Sequence, residues 1–282
     1  MNTQDRAQQD HAKKGQDRAT QARELAYEVH GRPGGPRVAL VPGQGMQRVM
    51  WELTVVPALV EAGLQVLCYD QRGVGDSPAP DGPYSVPELA GDLAGLLDRL
   101  GWERVALAGV SLGGMVIEHL AVNRPDLVGR AALVASTSVP TSFQQAYAEA
   151  RSSVRNDPVS LLLELLITVP PADLLADTPA ARTSLSFMRR RGPYTAGFHG
   201  QGQAGDDWLL RRDREEQWRR IAAPCLLVAF EHDLLFPPHA VREAAGRIPD
   251  ARFHLVPGVA HADALVRAAD EIGALLRDFL RA

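Results

Sequence analysis

Seven short, mainly apolar runs alternate with helix-like segments along this chain, and that alternation limits the folds it can adopt. Short apolar runs bounded by turn residues are typical of buried strands. The seven predicted strands are residues 25–29, 38–41, 66–69, 105–108, 131–134, 225–230 and 253–256. Between them, residues 86–100 place leucines on one helical stripe, and Gly101 is a typical helix stop. The pattern predicts an α/β fold with a mostly parallel central sheet flanked by helices.

The alternation stops between residues 141 and 217. This stretch contains helix-like segments, prolines and glycines, and it has no convincing strand. We expect it to be an inserted helical cap within a core formed by the segments on either side. The resulting domain prediction is a polar, disordered tail at 1–22, a core at 23–140 and 218–282, and a cap at 141–217. Within the cap, Pro170-Pro171 and the glycine-rich residues 200–205 predict linkers.

The strongest sign of chemistry is a serine between two glycines. An apolar strand runs into Gly109-Val110-Ser111-Leu112-Gly113, and apolar residues at helical spacing follow. This spacing suits a sharp strand-to-helix turn that strains the serine backbone, where neighbouring Cβ atoms would clash. The alternative is a serine in an ordinary glycine-rich turn, since so short a pattern also arises by chance. The strand-turn-helix setting favours Ser111 as a nucleophile.

A serine hydroxyl needs a histidine to accept its proton and an acid to orient that histidine. Asp233 follows predicted strand 225–230, and His261 follows the last predicted strand. Because ligands bind beyond the carboxyl ends of parallel strands, we expect both side chains near Ser111. The alternatives that stay open are Glu231 for the acid and His232 or His239 for the base.

Further motifs accompany these three residues. Residues 70–77 read Asp-Gln-Arg-Gly-Val-Gly-Asp-Ser, two prolines at 237 and 238 follow Asp233, and Pro257-Gly258 precede His261. With the serine turn, these motifs resemble the α/β-hydrolase fold enzymes that carry a cap, from Glu24 to the C-terminus. The resemblance implies that Ser111 is the nucleophile, His261 the general base and then acid, and Asp233 its orienting carboxylate.

The predicted oxyanion loop departs from the family pattern. Family members usually begin this loop with His-Gly, whereas here strand 38–41 leads into Pro42-Gly43-Gln44-Gly45. Proline has no N–H to donate, so we expect the backbone donors to be Gln44 and Leu112, the residue after the nucleophile. The change at Pro42 leaves non-hydrolytic chemistry open as an alternative.

Large apolar side chains are concentrated in the predicted cap. Each could line a hydrophobic substrate pocket or pack the cap against the core, and both interpretations stay open. The pocket candidates are Leu162, Leu166, Phe187, Tyr194 and Trp208. Outside the cap, Asp70 and Arg72 are interpreted as a turn-stabilising pair, since structural ion pairs are common.

Composition and charge narrow the possible partners. A net charge of -4 offers no broad basic surface for nucleic acid, and no apolar stretch approaches the length of a bilayer span. Histidine and cysteine spacing predicts no metal site, and no dinucleotide fingerprint is present. Cys68 and Cys225 lie in predicted strands and resemble reduced core thiols. We expect a cytoplasmic enzyme with a small-molecule substrate and no cofactor, nucleic-acid or membrane partner; the oligomeric state stays open.

These interpretations predict a serine hydrolase acting on a small, hydrophobic ester, thioester or lactone. Bacterial natural-product metabolism is one candidate setting. A serine at the elbow argues against the haloalkane dehalogenases and epoxide hydrolases of this fold, which by resemblance carry an aspartate there. Two alternatives stay open: a cofactor-free lyase, eliminating enzyme or perhydrolase of the same fold, and a ligand-binding receptor derived from a hydrolase.

Overall fold

A seven-stranded sheet lies at the centre of the protein. The computed structural model describes residues 25–154, 158–190, 195–262 and 264–281, without the side chains of Ser152, Pro158, Phe187 and Arg190. The predicted tail at 1–22 lies outside the described residues. No helix in the described part of the chain is long and apolar enough to cross a membrane.

All seven predicted strands overlap observed ones. The strands are β1 (Tyr27–His30), β2 (Arg37–Val41), β3 (Gln65–Tyr69), β4 (Val105–Val110), β5 (Val128–Val134), β6 (Cys225–Phe230) and β7 (Ala251–Val256). Their spatial order is β1-β3-β2-β4-β5-β6-β7. In this order β4 is the fourth of seven strands and lies in the middle of the sheet. Every pairing is parallel except that of β1 with β3, which is antiparallel. The predicted α/β class is confirmed.

Helices cover both faces of the sheet. Successive residues of a strand point to opposite faces, so the apolar side chains of a central strand must be buried on both. On β2, Ala39 and Val41 join one apolar layer, whereas Val38 and Leu40 join the other. The described helices are α1 (Val49–Thr54), α2 (Val56–Glu61), α3 (Val86–Leu100), α4 (Leu112–Asn123), α5 (Ser142–Ser153), α6 (Pro158–Thr168), α7 (Pro171–Leu175), α8 (Pro179–Arg190), α9 (Ala196–Leu209), α10 (Arg214–Trp218), α11 (Pro238–Ala245), α12 (Ala264–Arg267) and α13 (Ala269–Arg281).

The helix predicted at 86–100 is observed as α3 with the same bounds. Ser85 caps its first turn by accepting the Glu88 N–H, and its leucine stripe is buried. Gly101 ends it in the left-handed region, at a φ of 64°.

Between β5 and β6 the described residues form six helices, α5 to α10, joined by loops. Of the linker predicted at Pro170-Pro171, Pro170 lies between α6 and α7, whereas Pro171 is the first residue of α7. The linker predicted at 200–205 is wrong, because these residues lie inside the largely buried helix α9. Its glycines permit close approach: a Cβ on Gly197 would lie 2.1 Å from the Gly73 oxygen.

Both cysteines are buried free thiols, as predicted, Cys68 on β3 and Cys225 on β6. Burial raises the pKa of Cys225 to about 12, and burial also raises the pKa of Cys68. Neither thiol is therefore suited to nucleophilic chemistry at neutral pH.

Candidate active site

Ser111 lies at a strained turn between β4 and α4. Its backbone adopts a φ of 52° and a ψ of -121°, a region that residues with a Cβ rarely occupy. A Cβ on Gly109 would lie 2.5 Å from the Gly113 carbonyl carbon, and one on Gly113 would lie 2.2 Å from the Val41 oxygen. The two glycines of the pattern are thus required by the close approach of the strands and the helix.

Ser111, His261 and Asp233 form a continuous hydrogen-bonded chain. His261 Nε2 lies 3.0 Å from Ser111 Oγ, and His261 Nδ1 lies 2.8 Å from Asp233 Oδ2. Asp233 is 2% exposed and His261 is 9% exposed. This arrangement suits Nε2 to accept the serine proton while Nδ1–H donates a hydrogen bond to the carboxylate.

Backbone groups hold the Asp233 carboxylate in place. The N–H groups of Leu235 and Phe236 donate to Asp233 Oδ1 at 2.8 Å and 2.9 Å. The other oxygen is left for His261. The carboxylate therefore keeps a fixed orientation, which in turn fixes the orientation of the imidazole.

The alternative acid, Glu231, and the alternative bases, His232 and His239, make other contacts than Asp233 and His261 do. Glu231 accepts the Gly258 N–H at 2.8 Å, so its carboxylate braces the loop that leads to His261. His232 lies 3.9 Å from Glu231, and His239 is exposed on α11. The His261 N–H donates to the Ile167 oxygen at 3.1 Å, which attaches this loop to the end of α6.

The predicted oxyanion loop lies beside the nucleophile despite beginning with proline. A Cβ on Gly43 would lie 3.6 Å from Ser111 Cβ. The Pro42 oxygen accepts a hydrogen bond from Gln71 Nε2 at 2.6 Å, which anchors the start of the loop. In the described residues, the backbone N–H groups of Gln44 and Leu112 donate to no protein acceptor. Gln44 and Leu112 therefore stay the predicted oxyanion donors.

Polar contacts connect this loop to α9 and α5. Gln44 Nε2 donates to the Phe198 oxygen at 3.1 Å, and the Gly45 N–H donates to Gln201 Oε1 at 2.7 Å. Arg151 Nη1 donates to Gln44 Oε1 at 2.7 Å. Sequence reasoning missed these contacts, since they join residues more than 100 positions apart.

Asp70 and Arg72 are structural, as interpreted, but they do not pair with each other. Asp70 accepts the Arg48 N–H at 2.6 Å and also binds its guanidinium. Arg72 binds Asp92 on α3 through two hydrogen bonds of 2.5 Å and 2.6 Å. Each charge therefore attaches the turn to a different helical region.

The five candidate pocket residues lie in different environments. Trp208 is 2% exposed and belongs to the main core, where its ring contacts that of His119. Its position favours the packing interpretation over the pocket interpretation. Leu162 and Leu166 are 56% and 36% exposed on α6, whereas Leu163 and Ile167 of the same helix pack on the core. The side chain of Phe187, and Tyr194 as a whole, lie outside the described residues.

A buried ion pair behind the elbow was also missed. Glu118 on α4 and Arg214 on α10 are each 1% exposed and share two hydrogen bonds of 3.0 Å. Thr137 donates to the same carboxylate at 2.9 Å. Glu118 is the single acidic residue in the mainly apolar stretch 112–122, and this was the signal that could have indicated a buried partner.

One cluster in the described part of the chain has the atoms of a metal site. Ligand atoms of Glu28, His30 and Glu52 lie within 4.8 Å of one another. However, the guanidinium of Arg48 lies 3.7 Å from Glu28 and 3.8 Å from Glu52. This positive charge already compensates both carboxylates and disfavours a cation.

Comparison with known proteins agrees with this fold. The sequence profile of the alpha/beta hydrolase fold matches residues 29–268. The chain is 31% identical to "Putative carbamate hydrolase RutD" of Variovorax paradoxus over 91% of this chain and 96% of that protein. It is 28% identical to "3-oxoadipate enol-lactonase 2" of Acinetobacter baylyi over 74% and 76% of the two chains. The crystal structure of "Putative non-heme bromoperoxidase BpoC" from Mycobacterium tuberculosis matches with a TM-score of 0.80 and 25% identity, covering 92% of this chain and 97% of that one.

Proposed function

Because this chain belongs to the alpha/beta hydrolase fold family, we propose that it is a serine hydrolase that cleaves a carboxylic ester, thioester or lactone. The observation that carries the proposal is the hydrogen-bonded chain from Ser111 Oγ through His261 to Asp233. A serine without such a chain is a poor nucleophile at neutral pH.

In the proposed mechanism, Ser111 Oγ attacks the substrate carbonyl while His261 Nε2 takes its proton. The developing oxyanion accepts hydrogen bonds from the N–H groups of Gln44 and Leu112, and Asp233 stabilises the imidazolium. His261 then gives the proton to the leaving oxygen or sulfur, and the acyl group stays on Ser111. Water, activated by His261, releases the acid and restores the serine.

The substrate class is supported by two relatives. One is named as a putative carbamate hydrolase and the other as an enol-lactonase, and both names denote hydrolysis at a carbonyl group. The helical segment α5 to α10 is proposed to act as the cap of this site, because α9 contacts the oxyanion loop and the end of α6 contacts the His261 loop. A cap of this kind sets substrate choice, while the three residues set the reaction.

The direct test is intact-mass analysis after incubation with a fluorophosphonate, together with turnover of p-nitrophenyl butyrate and hexanoate. Wild-type protein should gain one label and hydrolyse the esters, whereas Ser111→Ala should do neither. Ser153→Ala is the matched control, since Ser153 is an exposed serine on α5. Labelling that persists in Ser111→Ala, or the absence of labelling in wild type, contradicts the proposal.

A perhydrolase is the second candidate, because the relative with a TM-score of 0.80 is named as a bromoperoxidase. In this reaction hydrogen peroxide replaces water at the acyl-enzyme and releases a peracid, which oxidises bromide without a metal. Wild-type protein in acetate buffer with peroxide and bromide should then brominate monochlorodimedone, and Ser111→Ala should not. Ester hydrolysis without any bromination excludes this candidate.

A further inference from the structure

The side chain of Gln44 lies in a closed polar network beside the proposed oxyanion donor. Its Oε1 accepts from Arg151 Nη1 at 2.7 Å, and its Nε2 donates to the Phe198 oxygen at 3.1 Å. The amide group therefore has a donor on one side and an acceptor on the other. Since the side chain is held at both ends, the backbone N–H of the same residue loses rotational freedom.

Arg151 is itself fixed by several partners. Its Nη2 donates to the Gly202 oxygen at 2.9 Å and to Asp206 Oδ1 at 2.5 Å, and its guanidinium lies 5.4 Å from the centre of the Tyr147 ring. With these donors occupied by protein groups, Arg151 is better suited to hold the loop than to bind a substrate anion. Its planar guanidinium contacts α9 and Gln44 simultaneously, which a lysine ammonium on a flexible stem cannot reproduce.

The glycines of α9 make this contact possible. A Cβ on Gly202 would lie 2.7 Å from Gln44 Nε2, so any larger residue there would displace the amide. A Cβ on Gly45 would lie 2.5 Å from the Phe198 ring, which shows how closely the loop and the helix pack. At Gly205 the nearest atom to an added Cβ is Leu112 Cδ1 at 3.7 Å, an ordinary contact.

We propose that Arg151 is a positioning residue that sets the oxyanion loop through the Gln44 side chain, so that the helical segment controls the rate of the chemical step as well as substrate choice. The inference rests on the proposed hydrolase function. It also explains how a loop that begins with Pro42 keeps its donor in place: the support comes from α5 and α9, across more than 100 residues of sequence.

The test is a double-mutant cycle on Arg151→Met and Gln44→Leu, followed by p-nitrophenyl hexanoate turnover. Each single change should lower kcat about 10- to 100-fold with KM within about threefold, because a donor misplaced by about 1 Å loses transition-state contact. The double variant should be no slower than the slower single one, since both changes remove the same bond. Independent, multiplying losses overturn the proposal.

A second readout separates positioning from a general loosening of the fold. Trifluoromethyl pentyl ketone forms a tetrahedral adduct with an active serine, and its affinity should fall by the same factor as kcat/KM across the variants. Equal affinity for the ketone in wild type and Arg151→Met overturns the proposal.

A glycine pair keeps the test valid if Arg151→Met does not fold. Gly202→Ala should reproduce the loss in kcat, whereas the matched Gly205→Ala on the same helix should keep wild-type turnover. Equal turnover in the two glycine variants contradicts the inference. If wild-type protein neither hydrolyses the ester nor binds the ketone, the proposed function itself fails. If wild-type protein is active and the variants have the same kcat as wild type, only the positioning role of Arg151 fails.

Discussion

The ring of Phe236 stacks on the imidazole of His261, with the ring centres 5.4 Å apart and an angle of 26° between the planes. Phe236 is 1% exposed, and its backbone N–H donates to Asp233 Oδ1. A single residue therefore contacts both the proposed base and the proposed acid. The ring therefore helps to hold the imidazole and the carboxylate in their relative positions.

Replacing Phe236 with leucine is expected to lower kcat for ester hydrolysis about two- to fivefold. The leucine removes the aromatic face from the imidazolium that forms in the proposed reaction, a contact worth about 0.5–1 kcal/mol. Phe253→Leu is the control, because Phe253 lies on β7 and packs at the edge of the core. Steady-state kinetics measure the effect, and an equal loss in both variants, or none in Phe236→Leu, contradicts a role for the stacked ring.

Asp233→Asn should lower kcat about 10,000-fold. If the asparagine oxygen still accepts hydrogen bonds from the N–H groups of Leu235 and Phe236, its NH2 group faces His261 Nδ1. Nδ1 must then accept a hydrogen bond, so the proton of the neutral imidazole moves to Nε2. An Nε2 that carries a proton cannot accept one from Ser111. Steady-state kinetics of Asp233→Asn and of Glu231→Gln measure this, and Glu231→Gln should stay within a few-fold of wild type.

Gly113→Ala should abolish activity and lower the free energy of unfolding by several kcal/mol. The added methyl group would overpack the turn and displace the backbone, and changes of this kind have roughly that cost. Its Cβ would lie 2.2 Å from the Val41 oxygen and 2.7 Å from the Pro42 oxygen. Gly91→Ala is the matched control, since a Cβ there meets nothing within 4 Å on the exposed face of α3. It should raise the free energy of unfolding in urea by about 0.5–1 kcal/mol. Similar stability for the two variants would be inconsistent with the tight turn.

The buried pair Glu118 and Arg214 should show strong coupling in urea unfolding. Arg214→Met leaves a buried carboxylate unpaired and should cost about 3–5 kcal/mol, whereas Glu118→Leu with Arg214→Met should recover most of the loss. Arg124→Met is the surface control, because the partners of Arg124 are exposed, and it should change stability far less. Additive effects in the double variant would show that the pair is not coupled.

His119 should make the protein less stable in mild acid. Burial, with the neighbouring Arg211 charge, lowers the pKa of this imidazole below its ordinary value of 6.5. As the pH falls through 6.5 the unfolded chain takes up this proton first, so the free energy of unfolding declines until the lower, folded-state pKa is passed. Urea unfolding at several pH values, compared with His119→Gln, isolates this contribution. Parallel pH curves for the two proteins would rule it out.

Much of the site followed from local sequence because its residues come directly after strands. The apolar runs predicted β4, β6 and β7, and Ser111, Asp233 and His261 stand at or beyond the ends of these strands. The three residues were therefore expected to meet at one edge of the sheet, where the structure brings them together. Their catalytic roles stay predictions.

Packing decided the points at which the sequence misled or left a choice open. Residues 200–205 predict a linker, since glycine weakens isolated helices, yet in α9 Gly200 and Gly202 allow the backbone to approach Tyr84 and Gln44. For Trp208 the sequence left a pocket wall and core packing open, and the structure places it inside the core. Glycine and tryptophan are both used where two surfaces meet closely, and sequence spacing does not show which surfaces those are.

The sequence by itself determined the α/β class, the strand order along the chain and the residues at the strand ends, because strand periodicity and tight turns depend on neighbours a few positions away. Only the tertiary structure decided that Arg151 contacts Gln44, that Arg214 neutralises Glu118, and that Asp70 and Arg72 take separate partners. These contacts join residues between about 20 and more than 100 positions apart. Such a pairing depends on how helices pack on the sheet, and no local pattern in the chain records it.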